Sequence, residues 1–135
     1  MRVLFWYCDL FAWKPALKTL DYAPDAKPGE FKDIIVAFIQ VEPNDVLEGS
    51  SAEKKLLKNI KWLAGKWQNK KVILHSFTHL GDKLAEPEEA QTLINRVDER
   101  LKSVNYDVSQ TPYGYFLDLT MQAKGHPLAR IYKEF

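Results

Sequence analysis

The sequence predicts an α/β domain, a mixed β-sheet with helices packed on it. Three observations carry this reading. Ile34, Ile35, Val36, Ala37, Phe38 and Ile39 follow one another without a polar break, as in a strand covered on both faces. Two segments, one holding Leu56, Leu57, Ile60, Leu63, Ala64 and Trp67 and the other Ala90, Leu93, Ile94, Val97 and Leu101, repeat at the helical period of about 3.6 residues. From Tyr113 to Lys124 apolar and polar residues alternate, which describes a long half-buried strand.

The elements follow in order. Val3 to Cys8 is β-branched and aromatic and reads as the first strand. Residues 14 to 30 hold Pro15, Pro24, Pro28 and Gly29 and read as a loop in which Ala16 to Leu20 can form a helical turn. Phe31 to Val41 is the second strand, ended by Glu42-Pro43-Asn44-Asp45. Ser50 or Ser51 caps the first helix, and Val72 to Leu74 makes a short buried strand. His75 to Gly81 is a polar and aromatic loop of the kind where sites collect. The second helix opens at Pro87, with Glu86, Glu88 and Glu89 at the end where the helix dipole favours acids, and stops near Ser103. Val104 to Val108 reads as an edge strand. After the last strand, Gly125 suits a turn, Pro127 holds His126 extended, and the tail adds a helical turn.

At 135 residues the chain fits one domain, residues 1–135, with 46% hydrophobic residues to fill a core. Lysine and arginine total 19 against 18 acids, so any nucleic-acid partner must be held by a local patch. Lys54, Lys55, Lys58, Lys61, Lys66, Lys70 and Lys71 supply one candidate patch, which a solvated helix face explains equally well. A single cysteine, Cys8, leaves no intramolecular disulfide and suits the reducing cytoplasm. No stretch reaches membrane-spanning length, and a soluble protein is expected.

The usual catalytic signatures are missing. There is no Gly-rich phosphate loop, no Gly-x-Ser-x-Gly elbow and no close carboxylate pair. His75 and His79 are four apart but sit at a strand end and in a loop with no third ligand, so no metal is expected. Cys8, in an apolar strand, reads as an inert buried thiol. Tyr113, Tyr115 and Phe116 offer flat rings for a nucleobase or for the core.

Several blocks in order carry a resemblance: Val36-Ala-Phe-Ile-Gln-Val-Glu42; Phe77-Thr-His-Leu80 with Leu84-Ala-Glu-Pro87; Leu93-Ile-Asn-Arg-Val97; and Pro112-Tyr-Gly-Tyr115 with Lys124-Gly-His-Pro-Leu-Ala129. They resemble the N-terminal editing domain of archaeal threonyl-tRNA synthetases. The resemblance implies a D-aminoacyl-tRNA deacylase-like fold, a homodimer, no cofactor, and hydrolysis of L-seryl-tRNA(Thr) formed in error. Its partners would be the acceptor end of tRNA(Thr) and the synthetase catalytic domain, in cis or in trans. Serine lacks only a methyl of threonine, and one such group is worth about 1 to 3 kcal/mol in a binding pocket, too little for accurate translation without a second sieve.

The resemblance also implies a pocket from Val41 and Glu42, from Phe77, Thr78 and His79, and from Tyr113, Gly114, Tyr115, Phe116 and Leu117. His79 is the side chain expected at the aminoacyl group or terminal adenosine. Relatives commonly carry Tyr-Lys where this chain has Phe116 and Leu117, and a glutamate where it has Arg130. The expected chemistry therefore rests on the ribose 2′-hydroxyl of the tRNA and on backbone N–H groups. Arg130 is a candidate RNA or surface contact, and His126 is expected to fix the corner after the last strand by hydrogen bonding. D-aminoacyl-tRNA deacylation and a non-catalytic acceptor-end or dimerisation module stay open as alternatives.

Overall fold

A computed structural model describes residues 1–135. The strands are β1 (Arg2–Lys18), β2 (Gly29–Gln40), β3 (Lys71–Ser76), β4 (Asp107–Gln110), β5 (Tyr115–Ala123) and β6 (Arg130–Glu134). Helices α1 (Ala52–Trp67) and α2 (Pro87–Lys102) lie between β2 and β3 and between β3 and β4. The sheet order is β4-β3-β2-β1-β5, with β6 beside the first residues of β1. β2, β3 and β4 run parallel and the other pairings are antiparallel, so the sheet is mixed as expected.

Three expectations are corrected. β1 does not stop at Cys8 but continues to Lys18, pairing with β2 as far as Trp13 and with β5 as far as Lys18. Pro15 is tolerated because the ladder to β5 shifts register between Pro15 and Leu17, an irregular position where a missing N–H costs little. The edge strand near residue 104 begins only at Asp107, since Val104 and Asn105 close the turn after α2. The tail makes a short 3-10 turn at Pro127–Ala129 and then a strand, β6, whose charged and apolar residues Arg130-Ile-Tyr-Lys-Glu134 gave too short a pattern to read.

Connectivity forces the sheet to curl. β4 and β5 lie at opposite ends of the order, four strand spacings apart, or about 19 Å in a flat sheet. Only residues 111–114 link them, a reach of about 18 Å when fully stretched. The link is not stretched, because Gly114 turns back with φ +83°, where a Cβ would lie 3.0 Å from Ala23 Cβ. Its carbonyl accepts from Thr19 N (2.7 Å) and so fixes the end of β1 to the start of β5. Gly125, by contrast, has an ordinary φ, and the corner it precedes is held by His126, whose Nδ1 accepts from Leu128 N (3.0 Å).

The curl creates two cores. On the convex face Val3, Phe5, Ile35, Ala37 and Ile39 pack under Leu56, Ile60, Leu63, Leu93 and Val97 of the helices. On the concave face Cys8, Phe11, Trp13, Ile34, Val36, Phe38 and Ile73 are buried within the curl itself. Phe11 shares a face with Cys8 rather than Tyr7 because the β1–β5 register shifts between Cys8 and Leu10, while Asp33 opposite takes a left-handed conformation (φ +52°). Burial pushes the Cys8 thiol up to about 11, and Asp9 adds to the shift, which keeps it protonated. No helix is long and apolar enough to cross a membrane.

Candidate functional site

A cavity of about 460 Å³ opens where the ends of β1 and β3, the start of α2 and the start of β5 meet. Phe77, Thr78, His79, Tyr113, Gly114, Tyr115, Phe116 and Leu117 line it, joined by Thr19, Leu20, His75, Ser76, Pro87, Pro112 and Leu119. None of the lining residues is Asp, Glu, Lys or Arg.

The wall from Phe77 to His79 is aimed by a buried amide. Gln40, fully buried at the end of β2, accepts from Leu80 N (2.7 Å) and Gly81 N (2.9 Å) through Oε1. Its Nε2 donates to the Lys83 carbonyl (3.1 Å). At the near side Phe77 N donates to the Ile39 carbonyl and at the far side Ala85 N to that of Val41. Between these anchors the N–H groups of Thr78 and His79 find no protein acceptor. The sequence signal for Gln40 was a lone amide inside an apolar strand end.

Rings shape the mouth. His79 and Phe116 stack across the opening with centroids 6.1 Å apart and planes at 23°, and Phe77 meets the His79 ring at 5.1 Å. Phe77 rests in turn on Phe38 (4.8 Å). The Tyr113 hydroxyl donates to the Pro87 carbonyl (2.6 Å), and burial pushes its phenol up to about 12, so it is a fixed strut and not a base. The Tyr115 hydroxyl donates to the Pro24 carbonyl (2.7 Å). Thr19 and Leu20 reach the lining because the segment around Pro15 continues β1 to Lys18, so these two residues turn off its end at the cavity.

Val41, Glu42, His126 and Arg130 are not brought to this cavity. Val41 shares the convex face with Ile35, Ala37 and Ile39 and is buried under the helices. Glu42 turns to the far side of that strand end, where its carboxylate lies 2.9 Å from the Met1 nitrogen and 3.5 Å from Arg2 Nε. His126 packs edge-on against Trp67 (5.2 Å). Arg130 covers the Trp6 ring at 5.9 Å and donates to the Lys124 carbonyl (2.9 Å).

A curled mixed sheet of six strands with two helices packed on one face is a domain of the D-aminoacyl-tRNA deacylase-like fold. The fold is shared along 100% of this chain and 99% of the other with a structure of the c-Myc DNA Unwinding Element Binding Protein, at TM-score 0.69 and 12% identity. The chain belongs to the family described as the archaea-specific editing domain of threonyl-tRNA synthetase, matched over residues 1–135. It is similar to threonine–tRNA ligases of Pyrococcus horikoshii (30% identical), Methanopyrus kandleri (29%) and Thermococcus kodakarensis (27%), with 97% of the chain covered in each case. The chain spans only 21% to 22% of the length of those proteins.

Proposed function

We propose that this domain is a proofreading deacylase that hydrolyses L-seryl-tRNA(Thr). The observation that carries the reading is that eight residues expected at the site, Phe77 to His79 and Tyr113 to Leu117, converge on a single cavity within a chain of the editing-domain family. The cavity suits a small acyl group next to a flat ring, with His79 and Phe116 at its opening.

The chemistry draws on what the cavity holds and on the substrate. The lining holds no carboxylate or amine; of its two imidazoles, His75 is engaged with Thr111 and His79 lies against Phe116, and in this reading the water is held by the substrate instead. The ester is already activated, and the neighbouring ribose 2′-hydroxyl can hold the attacking water. Water adds to the acyl carbon, the bond from that carbon to the ribose 3′-oxygen breaks, and free serine and an uncharged tRNA end leave. The negative charge that develops on the carbonyl oxygen needs N–H donors, and those of Thr78 and His79 are free to serve. Such donors survive any side-chain replacement, which accommodates Phe116 and Leu117 at positions where relatives commonly carry Tyr-Lys.

The rest of the tRNA needs a cationic surface. Lys54, Lys58, Lys61 and Lys66 are exposed on α1, and Lys66 and Lys133 lie 6.0 Å and 5.9 Å from the ring of the exposed Trp62. Lysines around an exposed ring match a phosphate backbone with unstacked bases. The test is a deacylation assay with purified chain. Seryl-tRNA(Thr) is expected to be cleaved faster than threonyl-tRNA(Thr) by about tenfold or more, the amount one methyl can supply. Equal rates would contradict the reading, and faster cleavage of D-seryl esters would replace it with D-aminoacyl-tRNA deacylation.

A further inference from the structure

His75 is the only buried residue among those lining the cavity, and the chemistry above gives it no part. It is 8% exposed and packed against Phe38 (4.8 Å), Phe77 (6.0 Å) and Phe11 (6.3 Å). Its Nδ1 lies 2.8 Å from the hydroxyl of Thr111, itself 7% exposed. Its Nε2 has no protein partner. Burial holds the imidazole down to about 4, so the ring is neutral at pH 7.

Nε2 is not among the buried side-chain atoms without a partner, so water in the cavity can reach it; a ligand that displaces that water without replacing its hydrogen bond loses about 1 to 3 kcal/mol against one that pairs the nitrogen. The class of ligand follows from the ring's surroundings. The Thr111 hydroxyl can donate to Nδ1 or accept from it, so Nε2 can be either donor or acceptor. A carboxylate satisfies only the first state and an ammonium only the second. A hydroxyl satisfies both states.

We infer that His75 Nε2 is the specificity contact of this cavity, hydrogen-bonding the side-chain hydroxyl of a bound seryl group and selecting it over an apolar acyl group of similar size. The inference rests on the proposed seryl-ester reading and adds the residue that recognises the acyl side chain. It assigns His79 and His75 different duties, the first at the opening beside the nucleoside, the second inside.

The experiment compares adenosine bearing a seryl group through a stable 3′-amide with its alanyl counterpart, using calorimetry and nitrogen NMR of the full chain. The seryl compound is expected to bind about fivefold to tenfold more tightly, and only it should move the Nε2 resonance of His75. His75→Phe should bring the two affinities together by weakening the seryl compound alone. Equal binding of the two compounds, an unmoved Nε2 resonance, or a preference that survives in His75→Phe would overturn the inference while leaving the seryl-ester reading intact. Absence of binding by both compounds to the unaltered chain would overturn both. The resonance measurement needs no substitution, so it decides the matter even where the variant fails to fold.

Discussion

His79 and Phe116 face each other at 6.1 Å across the opening of the cavity, one from the loop after β3 and the other from β5. These residues are far apart in sequence, and in a flat sheet their strands would lie three spacings apart. They meet because residues 111–114 are too short to leave the sheet flat.

Phe116→Ala is therefore expected to weaken the proposed hydrolysis without unfolding the chain. The side chain is 53% exposed, so little core is lost. A base stacked on a ring is worth about 1 to 3 kcal/mol, and KM for seryl-tRNA(Thr) should rise at least about fivefold. Phe116→Trp should retain activity. Steady-state kinetics of the two variants read this directly, and an unchanged KM in Phe116→Ala would remove the ring from the site.

Gln40 gives a second outcome. Gln40→Leu keeps the volume but leaves the N–H groups of Leu80 and Gly81 without their acceptor. Unfolding in urea is expected to show a loss of about 1 to 3 kcal/mol, and kcat should fall because the N–H groups of Thr78 and His79 are no longer aimed. Loss of stability with kcat unchanged would separate the loop from the chemistry.

Much of this arrangement was legible in the sequence. The unbroken run Ile34 to Ile39 and the two helical periods defined the layers, because burial on both faces and on one face leave different patterns. The end of β1 was hidden by Pro15, whose usual meaning is overridden where the register slips. β6 was hidden because Arg130 to Glu134 is short and mostly exposed. At the site the rings and the Phe77-Thr-His79 loop were readable from resemblance. The placement of Val41 was not, since it depends on which face of β2 points toward the helices, and neither was the burial of His75, which opened a loop where sites collect but carried no sign of facing inward.

Acid should reveal the enclosure of His75. Its folded value, about 4, lies below the ordinary 6.5, so between these two the unfolded chain takes up a proton that the folded chain refuses. Stability is thus complete above about pH 6.5 and declines as the pH falls towards 4, by at most about 3 kcal/mol. His75→Phe should flatten that part of the curve. A wild-type curve no steeper than that of the variant would show that the imidazole is not shielded from water.

The most direct test of the central claim uses seryl-tRNA(Thr) ending in a ribose 2′-hydroxyl and the same tRNA ending in 2′-hydrogen, with single-turnover rates measured on the unaltered chain. If the substrate supplies the group that holds the water, the deoxy form should be cleaved about a hundredfold more slowly, with binding nearly unchanged. Cleavage of both forms at the same rate would contradict the account and require a catalytic side chain in the protein.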